Sequence, residues 1–102
     1  MTTIPFPEDC TTMTEVRAGV DATDRAIAAL LATRFGYMRS AARIKPKRGQ
    51  VRDEGRKAQV IANARADARA GGWPEQAAAD LWEVLVEASI AYELDRWDER
   101  QR

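Results

Sequence analysis

One helical stripe constrains this chain more than any other feature. It steps by three and four residues from Met13 through Val16, Val20, Thr23, Ile27, Leu30, Arg34, Met38 and Ala41 to Lys45. That period marks one face of an α-helix, and it persists for about eight turns. Arg34 and Lys45 therefore stand where core residues belong. Pro46 follows directly; it removes a backbone donor and restricts Lys45, so the helix ends at Lys45 or just before. Thr12 and Glu15 have the spacing of a capping box and set its start.

The two cations on the stripe have a geometry. Eleven residues return Lys45 to within about 20° of Arg34, with their Cα atoms about 16 Å apart along the axis. Two long arms on one face can close on a single small anion. In the plainer reading both snorkel out of the core to water. Arg17 lies about 25 Å from Arg34, too far to serve the same pocket within one chain. A helix of this length, about 45 Å or more, also exceeds what two short helices of a compact chain can cover. The overhanging stripe is expected to pair with a second copy, giving a homodimer in which Arg17 reaches the partner's pocket.

Before the long helix, residues 1–11 carry Pro5 and Pro7 without periodicity and read as an extended arm. After it, Pro46 to Arg52 form a basic loop around Gly49. Eight cations lie between Arg39 and Lys57; most read as solvated surface, with a nucleic-acid patch or an anion gate as the sharper alternatives. A second helix opens at Asp53, which can cap the following amides, and stops at Gly71-Gly72. Its apolar content is mostly alanine, and Arg56 is near enough to its start to swing toward Lys45. Pro74 suits the first turn of a third helix with Leu81, Trp82, Leu85, Ala88, Ser89 and Tyr92 along one side. Glu93 is one turn beyond Ser89 and faces the same way. Ser89 also fits as a small residue at a helix crossing, and Glu93 as a solvent-facing acid. No strand-period pattern is present, so the fold class is all-α: one long helix and two shorter ones in a single domain, residues 1–102.

Composition narrows the chemistry. Sixteen basic residues balance sixteen acidic ones, so no net positive field draws the chain to nucleic acid or an anionic membrane. Cys10 is the only cysteine and histidine is absent, which removes an internal disulfide, the commonest zinc ligand and the commonest general base. Neither a signal peptide nor a membrane span is apparent, and a cytoplasmic protein is expected.

Arg17, Arg34 and Lys45, then Val51-Arg52-Asp53 with Arg56, then Ser89 and Glu93, resemble the pattern of the all-helical chorismate mutases. The opening Pro7-Glu8-Asp9-Cys10-Thr11 and the run from Tyr37 to Lys45 are similar to the isochorismate pyruvate lyases that share that fold. The resemblance spans roughly residues 7 to 100 and implies an intertwined helical homodimer that needs no cofactor and no metal. It implies that Arg17 comes from the partner chain to bind one substrate carboxylate while Arg34 grips the other. Lys45 would hydrogen-bond the ether oxygen and a carboxylate. Asp53 and Arg56 would shape the loop-side wall, and Ser89 and Glu93 would close the pocket, with Lys45 and Glu93 as the catalytic pair.

The implied reaction is the Claisen rearrangement of chorismate to prephenate; the alternative is elimination of pyruvate from isochorismate to give salicylate. Two departures bear on the choice. Glu93 stands where most bacterial members resembling this chain have glutamine, and a carboxylate donates a hydrogen bond to the ether oxygen only when protonated. Lys57 stands where the mutases usually have a glutamate that binds the ring hydroxyl, which leans toward the lyases, whereas Ser89 matches the mutases. The non-enzymatic rival is a helical dimerisation module whose buried cations bind an acidic partner.

Overall fold

A computed structural model describes residues 3–100. The first two residues of the expected arm and the last two of the expected 1–102 domain lie outside the described residues. All regular structure among those described is helical: α1 (Met13–Ile44), α2 (Glu54–Gly71) and α3 (Glu75–Glu99), with 3-10 turns at Pro7–Asp9 and Arg48–Gln50. This is the three-helix, all-α class expected. Packing divides the chain into two compact units, Met1–Phe35 and Gly36–Arg102, the boundary falling inside α1.

In the first unit the capping box is formed. The Thr12 amide donates to Glu15 Oε1 at 3.1 Å while the Glu15 amide donates to Thr12 Oγ1 at 3.2 Å. The Thr11 amide also donates to the same carboxylate at 3.0 Å. It is the largest of the donors that hold the Glu15 carboxyl below its ordinary range. The arm is not extended throughout. Pro7–Asp9 winds one 3-10 turn, with the Asp9 amide bonded to the Phe6 carbonyl at 2.9 Å. Pro7 sits at its first helical position, where a fixed φ is an advantage and the missing N–H costs nothing. Ile4 lies over α1 so closely that a Cβ placed on Gly19 would come within 3.6 Å of its Cγ2. Between arm and helix is a cavity of about 580 Å³ lined by Ile4, Phe6, Val16 and Val20 among others. Much of the α1 stripe, Val20, Ile27 and Leu30 included, is exposed on the single chain.

In the second unit, Asp53 caps α2 by accepting from the Arg56 amide at 3.0 Å, and Gly72 ends it in the left-handed conformation at φ 77°. Only glycine adopts that conformation at little cost. Ala64 and Ala68 of α2 meet Ala78 of α3, and Trp82 packs beside them. Small side chains at a contact bring helix axes close. Val51 of the loop joins Val86 and Ile90 in a second cluster, covered by Val60, Trp82, Leu94 and Trp97. Burying Val86 and Ile90 supplies roughly 1.5–3 kcal/mol each.

The packed side of α3 differs from the expected one. Leu81 and Ala88 are exposed, Leu85 and Tyr92 half-buried, and the buried positions are Ala78, Ala79, Val86, Ser89, Ile90 and Glu93. The α3 sequence is apolar on more than one side, and the alanine face of α2 decides which side is covered. Pro74 precedes the first helical residue of α3 rather than occupying it.

Candidate active site

The last turn of α1 and the middle of α3 bring two of the expected residues into direct contact. Lys45 Nζ donates to Glu93 Oε2 at 2.8 Å. The Glu93 side chain is 5% exposed and that of Lys45 31%, so the pair sits at the edge of the buried region. Glu93 is thus a buried, paired acid, not a solvent-facing one. Ser89, one turn before it, is also buried and donates from Oγ to the Leu85 carbonyl at 2.7 Å. That bond ties the hydroxyl to the preceding turn of α3 and places a small residue one turn before Glu93.

The position of Lys45 is set from behind by two residues that the sequence reading passed over. Its carbonyl, left over at the end of α1, accepts from Trp97 Nε1 at 3.0 Å and from Arg100 Nη1 at 2.6 Å. Arg100 Nη1 also reaches the Ala42 carbonyl at 2.7 Å. The last carbonyls of a helix have no partner within it, so α3 supplies them and fixes the turn that carries the ammonium. Trp97 was findable: it lies four residues beyond Glu93 and therefore shares its face.

Asp53 and Arg56 stand at the start of α2. The Asp53 carboxylate is engaged as the cap, and Arg56 Nη1 donates to Gln59 Oε1 at 2.7 Å along its own helix. The expected swing of Arg56 toward Lys45 is not seen, because a hydrogen-bond acceptor one turn away takes the guanidinium first. Arg17 and Arg34 lie on α1 in the first unit, Arg17 exposed and Arg34 half-buried.

Lys57 is held in a network that periodicity alone did not reveal. Its Nζ donates to Glu83 Oε1 and Glu87 Oε2, each at 2.8 Å, and Arg52 grips Glu87 with both terminal nitrogens at 3.0 and 2.7 Å. Arg52, then Lys57, draw the Glu87 carboxyl down to about 2. Glu83, then Glu87, hold the Lys57 ammonium above its ordinary range. Glu83 and Glu87 are one turn apart on α3, which was the available signal.

In chemical terms the site is an ammonium fixed in direction by a buried carboxylate and anchored through its backbone, with a small hydroxyl-bearing wall beside it. Such a group can meet developing negative charge without reorganising. Among the described residues no cluster of histidine, cysteine, aspartate and glutamate is suited to hold a metal ion. No helix among them is long and apolar enough to cross a membrane. No curated protein matches the chain. A family model does match it, over residues 16–94, and its description is chorismate mutase type II.

Proposed function

The chain belongs to the chorismate mutase type II family, and on that premise we propose that it converts chorismate to prephenate. The observation that carries the proposal is the Lys45–Glu93 contact of 2.8 Å at a buried carboxylate. In the rearrangement the ether C–O bond breaks as a C–C bond forms, and negative charge grows on the ether oxygen. Lys45 Nζ donates to that oxygen while Glu93 keeps the ammonium aimed. Away from bulk water such a bond is stronger than in solution. The rest of the task is positioning, which holds the enolpyruvyl arm over the ring.

Arg34 and Arg17 of the partner subunit take the two substrate carboxylates, each by a paired hydrogen bond suited to a guanidinium. Asp53 and Arg56 form the wall near the loop, and Ser89 closes the pocket from α3. The homodimer this requires is supported by the apolar stripe of α1, where Leu30 is 69% exposed on the single chain. An exposed stripe of that kind favours burial against a second copy.

The second reading, an isochorismate pyruvate lyase, draws on Lys57, whose charge stands where the mutases usually have a carboxylate. Against it, the small, buried Ser89 stands where the lyase pattern has a bulky aromatic. The test is to give the purified protein chorismate and isochorismate separately, near pH 5 and near pH 7.5, and to quantify prephenate and salicylate. Prephenate as the dominant product, lost in Lys45→Ala, is the expected result. Salicylate at a much higher kcat/KM makes the chain a lyase. Neither product returns the chain to the reading of a dimerisation module.

A further inference from the structure

A cleft in the second unit gathers four arginines. Arg39 and Arg43 come from one face of α1, Arg96 from the last turn of α3 and Arg100 from the residue capping it; with Ala42 they line a space of about 310 Å³. Elsewhere in the unit several cations are matched by acids, as in Arg48 with Asp98, Arg52 with Glu87, and Lys57 with Glu83 and Glu87. In the cleft the acid paired with these four guanidinium groups among the described residues is Glu99, which bonds Arg96 at 2.7 Å. Like charges brought together without counter-charges repel, so the cluster is unfavourable unless something anionic joins it.

Three of the four arms are already held in place. Arg39 Nη1 and Arg96 Nε both donate to Tyr92 Oη, at 3.0 and 3.2 Å. The Arg96 guanidinium also lies over the Tyr92 ring at 5.3 Å, and that of Arg100 over the Trp97 ring at 5.1 Å. Stacking on an aromatic face fixes the plane of the fork while leaving other N–H groups to donate. Arg100 is further tied by its bonds to the Ala42 and Lys45 carbonyls. Arg43 makes no hydrogen bond or ion pair among the described residues. The Tyr92 phenol is held below its ordinary range, first by the hydrogen bond from Arg39 and then by that from Arg96.

We propose that this cleft is a binding site for a small anion carrying two or more oxyanion groups, such as a diphosphate or a polycarboxylate, distinct from the Lys45–Glu93 site. The planar forks of arginine match carboxylate and phosphate oxygens in pairs. Convergence of four of them on a space this small favours a compact, multiply charged ligand over an extended one. Pre-held side chains lose little further freedom on binding. The proposal does not depend on which reaction the other site performs.

The experiment is calorimetric titration of inorganic pyrophosphate and, separately, citrate into the full chain at low ionic strength. Wild type, Arg43→Ala, Arg96→Ala and Lys45→Ala are compared, each first checked for an unchanged helical spectrum. Wild type is expected to bind at least one of the two anions. Affinity should fall about tenfold or more in each arginine variant, as removal of a charge-assisted paired bond does, and hold in Lys45→Ala. Preference for pyrophosphate identifies a diphosphate as the ligand class, and preference for citrate a polycarboxylate. No binding of either overturns the proposal, as does binding indifferent to the arginine changes. Weakening in Lys45→Ala equal to that in the arginine variants places the anion in the other site and also overturns it. Should wild type fail to bind while Arg43→Ala lowers the stability of a dimer, the cleft is filled by carboxylates of a second copy.

Discussion

Replacing Lys45 by methionine removes an ammonium while keeping most of the side chain's length, so the effect falls on Glu93. That carboxylate is 5% exposed and takes a 2.8 Å bond from the lost group, and among the described residues no other hydrogen bond to it is seen. Breaking a buried pair by deleting one partner costs about 3–5 kcal/mol. The Lys45 side chain is 31% exposed, which lets water reach the stranded carboxylate, so the lower end, about 3 kcal/mol, is expected. For a chain of this size that lowers the thermal midpoint by roughly 10–20 °C. Adding Glu93→Gln removes the stranded charge and should recover more than about 1 kcal/mol of the deficit. Urea unfolding followed by circular dichroism, at one fixed protein concentration because an associating chain unfolds concentration-dependently, measures both quantities. A Lys45→Met variant within about 1 kcal/mol of wild type, or a double variant no more stable than the single, would refute the claim that the pair is energetically coupled.

Three further outcomes are expected. Glu93→Gln should lower turnover, because a neutral amide no longer holds the Lys45 ammonium in direction; turnover equal to wild type in that variant removes Glu93 from the aiming role. Mixing unfolded and refolded Arg17→Ala and Lys45→Ala chains, each inactive alone, should restore about a quarter of wild-type activity, since half the dimers would hold one intact site; no recovery would mean that Arg17 does not act across a dimer. Glu87 is held down to about 2, mainly by Arg52 and then Lys57, below the unfolded value of about 4.3. Its contribution to stability is therefore present above the unfolded value and lost as pH falls toward about 2. Glu87→Gln should unfold more easily at neutral pH, and its difference from wild type should vanish near pH 2; a difference constant with pH would show that the Arg52–Lys57 contacts are not what stabilises the charge.

The carboxylate-binding roles of Arg17 and Arg34 came with the family resemblance, whereas several structural features were legible in the residues themselves. The stop at Pro46, the box formed by Thr12 and Glu15, the Asp53 cap and the Gly72 terminus all depend on neighbours within four residues. The face shared by Ser89 and Glu93 is equally local, and burial of both agrees with it. Leu81 was read along one side of α3 with Trp82 and Ser89 and is exposed, because the pattern of α3 offers two apolar sides and cannot say which one meets α2. Arg56 was placed toward Lys45 from its position alone, yet Gln59 one turn away competes for the same guanidinium.

What this sequence determines by itself is where helices begin, end and turn their faces, since backbone geometry repeats every three to four residues and caps act over one turn. What only the tertiary structure decides is which charge meets which. Lys45 could have snorkelled or paired, and finds Glu93. Lys57 could have faced a substrate, and is held by Glu83 and Glu87. Arg39 and Arg43 read as solvated surface until Arg96 and Arg100, more than fifty residues away, close the same cleft. The physical reason is that a charge's energy is set by the distance and burial of its counter-charges, and those quantities exist only once helices remote in sequence have packed.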